Sequence, residues 1–339
     1  MDRKEFSEYL RDFLSAYDDD AVEEVIKFYD EIICDKIEEG MTEGDAIDSL
    51  GDREIFLKKI TEQLDDENKK SDSEKKKNKN RSRHIKECDR KISRVEIETV
   101  FDKVQVETYA GEFVKIEFYD YEKRMYDYTV CGEEVSLKKI KGSLNDVGDF
   151  FTRIFKSENY PVIISLPADF NGALCIKSSS GSVNITSVKP EKLRISTSSG
   201  RETNLVNVTA AHAVIDSGMN SLSFSGCSFG EMDITSSTGG IDLNVTECGT
   251  VKIKNTMGIC EGILKNTENC DIRGVSGELE IIPSGEMDDY TINSKSLGKL
   301  SVINKDKNII TCSGGLDFGS GEKKLSVKYI SGNIKFIFV

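Results

Sequence analysis

Two periodicities divide this chain. From about Cys175 onward apolar and polar residues alternate, as in Ile176-Lys-Ser-Ser-Ser-Gly-Ser-Val-Asn-Ile185 and Met232-Asp-Ile-Thr-Ser-Ser-Thr-Gly-Gly-Ile-Asp-Leu243. Alternation of period two is the signal of a strand. Each block reads apolar-x-apolar, a small polar cluster, glycine, and apolar-x-apolar again. Set in register, the blocks place glycine at Gly181, Gly200, Gly218, Gly239, Gly258, Gly277, Gly298, Gly315 and Gly332, a period of about 19 residues. Two short strands joined at a bend cannot bury an apolar face alone, but stacked copies can. The pattern predicts a mainly β fold, a parallel β-helix or solenoid of about 19-residue coils. Its hand is not legible. Glycine at each bend admits backbone angles that a Cβ obstructs. The neighbouring hydroxyls (Ser180, Ser199, Ser217, Thr238, Thr256, Ser276) are suited to bonding the bend or one another up the stack.

At the other end the period is that of a helix. Phe6, Tyr9, Leu10, Phe13 and Leu14 follow i, i+3, i+4, i+7, i+8, and Val22, Val25, Ile26, Tyr29, Ile32, Ile33 and Ile37 continue the stripe over residues 20–39. Gly40 stands where a glycine ends a helix and Thr42 where a residue caps the next. A short helix over 43–49 and a last one from Asp52 through Ile55, Phe56, Ile60 and Leu64 complete a small bundle over residues 1–64. Phe28 falls off the main stripe and Phe56 flanks Ile55 and Leu57. Both either close the small core or form a docking face for a partner.

Between these regions, residues 65–91 are poor in apolar side chains and read as a charged flexible linker. Residues 92–170 alternate again, at Val95/Ile97, Val104/Val106 and Val114/Ile116/Phe118, and form a less regular β front end. They either cap the stack or supply its first irregular coils. Phe150, Phe151, Ile154 and Phe155 fit a short amphipathic helix before a strand at Tyr160–Pro167. The regular coils then occupy 171–339. The terminal run Ile334-Lys-Phe-Ile-Phe-Val339 is either an uncapped edge that pairs two copies or a strand folded over the last rung.

Charge bounds the partners. The net charge is −14. Residues 1–64 hold 8 Lys/Arg against 20 Asp/Glu, residues 65–91 hold 11 against 7, and the remainder 27 against 33. An acidic head is repelled by phosphate backbones, so direct nucleic-acid binding is not expected. No stretch is long and apolar enough to predict a membrane span, and the first residues lack the apolar core of an export signal. Nine cysteines without a Cys-x-x-Cys pair read as reduced, mostly buried residues, which places the chain in the cytoplasm, the cell surface being the alternative. Cys227 and Cys248 each lie nine residues past their glycine and are candidates to stack as neighbours.

Catalytic chemistry finds no constellation. His212 is the one histidine of the repeat half, and a serine nucleophile needs a base. Asp216, Asp233, Asp242 and Asp271 are spread along the repeats rather than clustered, against a lyase of the kind built on β-helices. Neither a cofactor nor a metal is expected.

Two resemblances bear on function. Lys4-Glu-Phe-Ser-Glu-Tyr-Leu10, Ala21-Val-Glu-Glu-Val-Ile-Lys-Phe-Tyr-Asp30 and Ile37-Glu-Glu-Gly-Met-Thr-Glu-Gly-Asp-Ala-Ile-Asp-Ser-Leu-Gly-Asp52 resemble the bacterial HAAS domain, the helix-turn-helix-associated α-helical signalling domain. That resemblance implies pairing with a PadR-like transcription regulator. Ile163-Ile-Ser-Leu-Pro-Ala-Asp169 and Leu174-Cys-Ile-Lys-Ser-Ser-Ser-Gly-Ser-Val-Asn-Ile185 with its successors resemble the bacterial "putative adhesin" family of β-strand repeats, a domain of unknown function. Together they lead us to expect a non-enzymatic signalling or scaffold protein. Its head docks the regulator and its β-solenoid binds an unidentified ligand. The alternatives are an adhesin-like surface binder and, less well matched, a polysaccharide-active enzyme.

Overall fold

The computed structural model describes residues 2–15, 19–38, 40–50, 57, 82–120, 125–140, 160–199, 202–305 and 309–338. The chain divides into two compact units, a helical one at the N-terminus and a β unit that begins at Ser82.

In the helical unit, α1 (Arg3–Phe13) starts at a capping box. The Asp2 side chain accepts from the Glu5 amide at 2.8 Å, and Glu5 accepts from the Asp2 amide at 3.0 Å. Phe6, Leu10 and Leu14 bury against Val22, Val25, Ile26, Tyr29 and Ile33 of α2 (Asp19–Glu38). Gly40, at φ +100°, turns the chain out of α2, and Thr42 caps α3 (Glu43–Asp48). Arg3 pairs in bidentate fashion with Asp30 across the unit. Phe13, placed on the buried stripe by its spacing, is instead exposed. The fourth helix expected from Asp52 lies, apart from Leu57, outside the described residues, as do Phe56, residues 65–81 and the segment 150–155.

The β unit is a stack of rungs, each made of two short strands on opposite walls. Strands β2 (Arg94–Thr99), β6 (Glu134–Lys139), β8 (Ala173–Ser178), β10 (Lys192–Thr197), β12 (Thr209–Ser217) and β14 (Ser228–Thr238) build one wall. Strands β3 (Val104–Tyr109), β7 (Val162–Pro167), β9 (Val183–Thr186), β11 (Glu202–Val206) and β13 (Ser221–Ser225) build the other. Beyond them β15 (Ile241–Lys265), β16 (Asn269–Pro283) and β17 (Tyr290–Ile303) run through both walls, and β19 (Lys323–Tyr329) with β20 (Asn333–Ile337) makes one further rung. Neighbouring rungs pair in parallel, most of them 19 residues apart, as Thr250 with Asn269 and Ser228 with Glu247. Ile176, Ile195, Ile215, Ile234, Ile253 and Ile272 therefore fall in one buried interior column. Each such side chain contributes about 1.5–3 kcal/mol relative to exposure.

The order of rungs in space is not the order in sequence. At the front, β2–β3 lies between β6–β7 and β8–β9, so the chain passes over its own first rung. At the back, β19–β20 lies between β16 and β17. Residues 92–170 are thus not only a cap, since they contribute two regular rungs. The terminal run Ile334–Phe336 is hydrogen-bonded on both sides and is not an edge open for pairing a second copy. Antiparallel strands close both ends. At the front β5 (Tyr126–Cys131) runs beside β6, and β4 (Lys115–Asp120) beside β7. At the back β18 (Ile309–Phe318) runs beside β17.

The charged linker is shorter than its composition indicates. Residues 82–87, expected inside it, form β1 (Ser82–Glu87), antiparallel to β4. Arg83 reaches Glu117 with two hydrogen bonds of 2.6 Å and holds that carboxyl below its ordinary range.

One corner of the stack is made by glycine. A Cβ on Gly258 would collide with the Gly239 carbonyl oxygen, one on Gly277 with that of Gly258, and one on Gly298 with that of Gly332. Gly258 and Gly277 also sit at φ +133° and +129°. Gly181 abuts the Asp102 carbonyl and Gly239 that of Asn220. Gly218, placed in the series by its spacing, instead lies two residues before the corner, against the Ser198 carbonyl, and Asn220 takes the corner position opposite Gly239. Gly200 lies outside the described residues. Gly315 does not belong to this series. It lies on antiparallel β18 opposite Lys295, and its ideal Cβ would have 3.6 Å to its nearest neighbour. Gly277→Ala is therefore expected to lower stability by about 2 kcal/mol or more, and Gly315→Ala to change it by less than about 0.5 kcal/mol. Urea unfolding followed by circular dichroism checks this, and equal midpoints for the two variants would refute the corner assignment.

Candidate functional site

The polar residues beside each glycine point in two directions. Those three positions before the corner residue, which is Asp102 on the first rung and Asn220 rather than Gly218 on the rung before Gly239, face inward. Thr99, Ser178, Thr197, Ser217, Ser236 and Asn255 form a buried polar column beside the isoleucine column. Its best-connected part spans two rungs and both walls. Thr197 Oγ1 donates to Asn220 Oδ1 at 2.9 Å, Ser217 Oγ donates to the same oxygen, and Asn220 Nδ2 donates to Thr203 Oγ1 at 3.0 Å. All four residues are buried. Further along, Asn255 and the Tyr329 hydroxyl find no hydrogen-bond partner among the described residues. The Tyr329 ring fills the space over Gly274, on the rung between them. Burial drives the Tyr329 phenol well above its ordinary value. The bonded hydroxyls of the Thr197–Asn220 network are engaged with one another through Asn220, and among the described residues no hydroxyl of the column is hydrogen-bonded to a histidine or carboxylate base.

Hydroxyls closer to the bend bond up the stack, as Ser180 Oγ with Ser199 Oγ at 3.0 Å. The opposite corner, which the glycine spacing does not reveal, uses left-handed Ser187, Asn207 and Asn266 at φ +56°, +53° and +54°. Gly226, at φ +63° beside Asn207, takes the same corner, and at Ser187, Asn207 and Gly226 the next residue is buried, Val188, Val208 and Cys227.

Five of the thiols, Cys88, Cys227, Cys248, Cys260 and Cys270, are buried, while Cys131 is exposed. Cys248 and Cys260 are pushed up to about 12 by burial, and Cys270 higher still. Cys248 pairs with Phe229 on the next rung, so Cys227 and Cys248 do not share a column. The aspartates are dispersed. Asp216 lies 3.5 Å from Arg194 and Asp271 2.8 Å from Arg273, while Asp233 and Asp242 occupy opposite walls. His212 is exposed on the rung beside Glu231, 3.2 Å away. Among the described residues no group of three or more His, Cys, Asp or Glu is placed to hold a metal ion. Nor is any described helix long and apolar enough to cross a membrane. Of the two aromatic residues singled out for docking, Phe28 lies on α2, where its side chain is outside the described residues, and Phe56 is outside them altogether.

What remains for recognition is the outer surface of the walls. On the second wall Gln105, Asn184, Asn204 and Ser223 occupy one outward column on consecutive rungs. Asn204 Nδ2 donates to Asn184 Oδ1 at 3.0 Å, leaving one amide group of each residue for a ligand. All four are half-buried and uncharged. Thr186 and Ser225 flank them, two residues further along their strands.

These features define a mainly β, solenoid-like protein with a packed interior and regular side-chain columns outside. The chain belongs to the Toastrack DUF4097 family, whose model matches residues 92–336. Solved structures that the chain matches include a "putative adhesin" from Bacteroides fragilis, 12% identical, covering 77% of this chain and 98% of that one with a TM-score of 0.41. A "putative cell adhesion protein" from Clostridium sporogenes is 12% identical and covers 76% and 100% with a TM-score of 0.25. A "putative lipid binding protein" from Parabacteroides distasonis is 11% identical and covers 77% and 98% with a TM-score of 0.40. No curated protein matches the chain.

The Thr197–Asn220 network makes a test of the interior. Asn220→Ala leaves Thr197, Ser217 and Thr203 short of partners and is expected to cost about 2–4 kcal/mol, against about 1 kcal/mol for Asn204→Ala outside. Urea midpoints of the two variants, measured side by side, check the ranking. A smaller loss at Asn220 would show that the network is not needed.

Proposed function

We propose that this chain is a non-enzymatic binding protein of the adhesin-like kind, its β stack serving as a rigid template for an extended, uncharged, hydroxyl-rich ligand such as a glycan. The observation that carries the proposal is the outward column Gln105–Asn184–Asn204–Ser223. Amide and hydroxyl groups match sugar hydroxyls as both donors and acceptors. Their repeat at about 4.8 Å suits a chain laid across the rungs. The interior supports the same reading, because its polar side chains are engaged with one another or sealed from solvent. Such a role places the protein at a cell surface. The full-length chain is expected to be captured on immobilised glycans and labelled by antibody on intact cells. The Asn184→Ala, Asn204→Ala pair should reduce that capture at least about tenfold without loss of fold, the scale of one or two hydrogen bonds. Unchanged capture would reduce the column to a tie between rungs, and labelling only after lysis would return the protein to the cell interior.

A second reading, the docking of a PadR-like transcription regulator by the helical head, is favoured by one feature. Phe13 and Met41 are large apolar side chains left 44% and 42% exposed on a small acidic unit. Phe13→Ser is expected to abolish co-purification of such a regulator with the full chain. Recovery equal to that with the unsubstituted chain would exclude Phe13 as its contact.

A further inference from the structure

The back half of the glycine corner joins cations and aliphatic side chains in a way that no stretch of the sequence displays. On the first wall, Lys254, Arg273, Lys328 and Lys295 are register partners on four consecutive rungs. All four are exposed on the outer side. Two residues further along each of the last three strands stands an aliphatic side chain, giving Arg273-Gly-Val275, Lys328-Tyr-Ile330 and Lys295-Ser-Leu297. Residues i and i+2 of a strand share a face, so cation and aliphatic column run side by side.

The backbone bonds the aliphatic residues into one strip. The Leu297 amide donates to the Ile330 carbonyl at 3.2 Å, and the Ser331 amide to that of Val275 at 2.8 Å. Val275, Ile330 and Leu297 are 43%, 61% and 79% exposed, and Met257 one rung back is 49% exposed. Arg273 shares its charge with Asp271 at 2.8 Å. Lys254, Lys295 and Lys328 have no ion-pair partner among the described residues.

We propose that this strip is a docking edge for the surface of an anionic phospholipid bilayer. Three uncompensated ammonium groups in one column are conspicuous in a chain of net charge −14. They meet the phosphate layer, while Leu297, Ile330 and Val275 enter the headgroup–acyl boundary. A soluble polyanion would use the cations and leave the aliphatic column in water, which favours the bilayer. The strip arises because β19 inserts between β16 and β17; in sequence order Lys328 would not stand between Arg273 and Lys295. This inference concerns how the stack is held to a surface, not which ligand it grips, and does not depend on the glycan reading.

The test is co-sedimentation of the full-length chain with vesicles of phosphatidylcholine alone and of phosphatidylcholine mixed with phosphatidylglycerol. Binding is expected only to the mixed vesicles, weakening with salt. It should fall at least about tenfold both in the triple variant Lys254→Gln, Lys295→Gln, Lys328→Gln and in the double variant Leu297→Ser, Ile330→Ser. These positions are exposed, and circular dichroism confirms that each variant folds. Three results overturn the proposal. One is no binding to mixed vesicles. Another is binding unchanged in both variants, which assigns it to the basic stretch 65–91. The third is loss in the triple variant alone, together with equal capture by soluble heparin, which makes the strip a polyanion site. Glycan capture that depends on Asn184 and Asn204 is expected to persist in both variants, so the two readings fail separately.

Discussion

At the glycine corner the backbone of each rung lies against a carbonyl of the rung before it, with no room for a side chain at Gly258, Gly277 or Gly298. That approach sets the rest of the β unit. It lets a strand pass from one wall to the other within a few residues, which keeps the coil near 19 residues and the interior narrow. A narrow interior holds single columns of Ile, Leu and Val and one column of small polar residues. The hydroxyls and amides beside the bend are then buried. Thr197, Ser217, Asn220 and Thr203 bond one another, because an unpaired buried polar group costs about 1–3 kcal/mol; Thr99 and Asn255 carry that cost among the described residues.

The same repeat creates a difficulty at its ends, where a parallel rung leaves unpaired backbone groups. Here the solution is topological. The first rung is covered by β6–β7, and the last, β19–β20, is placed inside the stack before antiparallel β18 closes it. The edges that remain are poor templates for pairing. β1 carries Arg83, Lys86 and Glu87 and is exposed along nearly its whole length, and β18 is interrupted by Gly314–Gly315, with a register shift in its partner. The apolar C-terminus therefore stabilises the stack rather than exposing it to association.

How much of this could be read in the chain follows from which signals are local. The rung spacing was legible because glycine recurs at one corner, where Gly239, Gly258, Gly277, Gly332 and Gly298 pack against one another's rungs, although Asp102 and Asn220 hold that corner on other rungs. The opposite corner was not, because Ser187, Asn207 and Asn266 adopt the left-handed turn there without a repeated residue type. Gly315 keeps the spacing of the glycine series but serves a strand of reversed direction, and direction leaves no mark on alternation. β1 was hidden for another reason. It is held by backbone pairing and by Arg83–Glu117 instead of burial, so its charges resembled a linker. Nor does any periodicity report the displaced first and last rungs, since pairing between distant segments is a tertiary choice. The candidate surfaces share this property. Asn184 and Asn204 are visible as neighbours in consecutive repeats, but the cation–aliphatic strip needs three segments out of sequence order.

That contrast bears on where recognition can reside. In this stack the interior is occupied and the ends are closed, so a partner meets the walls and the corners. Wall positions repeat with every rung, and a ligand read there must itself be extended and tolerant of repetition. Corner positions are different, because the bend lifts side chains such as Leu297 and Ile330 away from both sheets and exposes them further than any apolar residue described on the walls. A repeating polar wall and a locally cationic, aliphatic corner are therefore complementary instruments, one suited to reading a polymer and the other to resting on an interface. The displaced last rung links the two, since the insertion that protects the C-terminal strand also brings Lys328 and Ile330 into line with Arg273, Val275, Lys295 and Leu297.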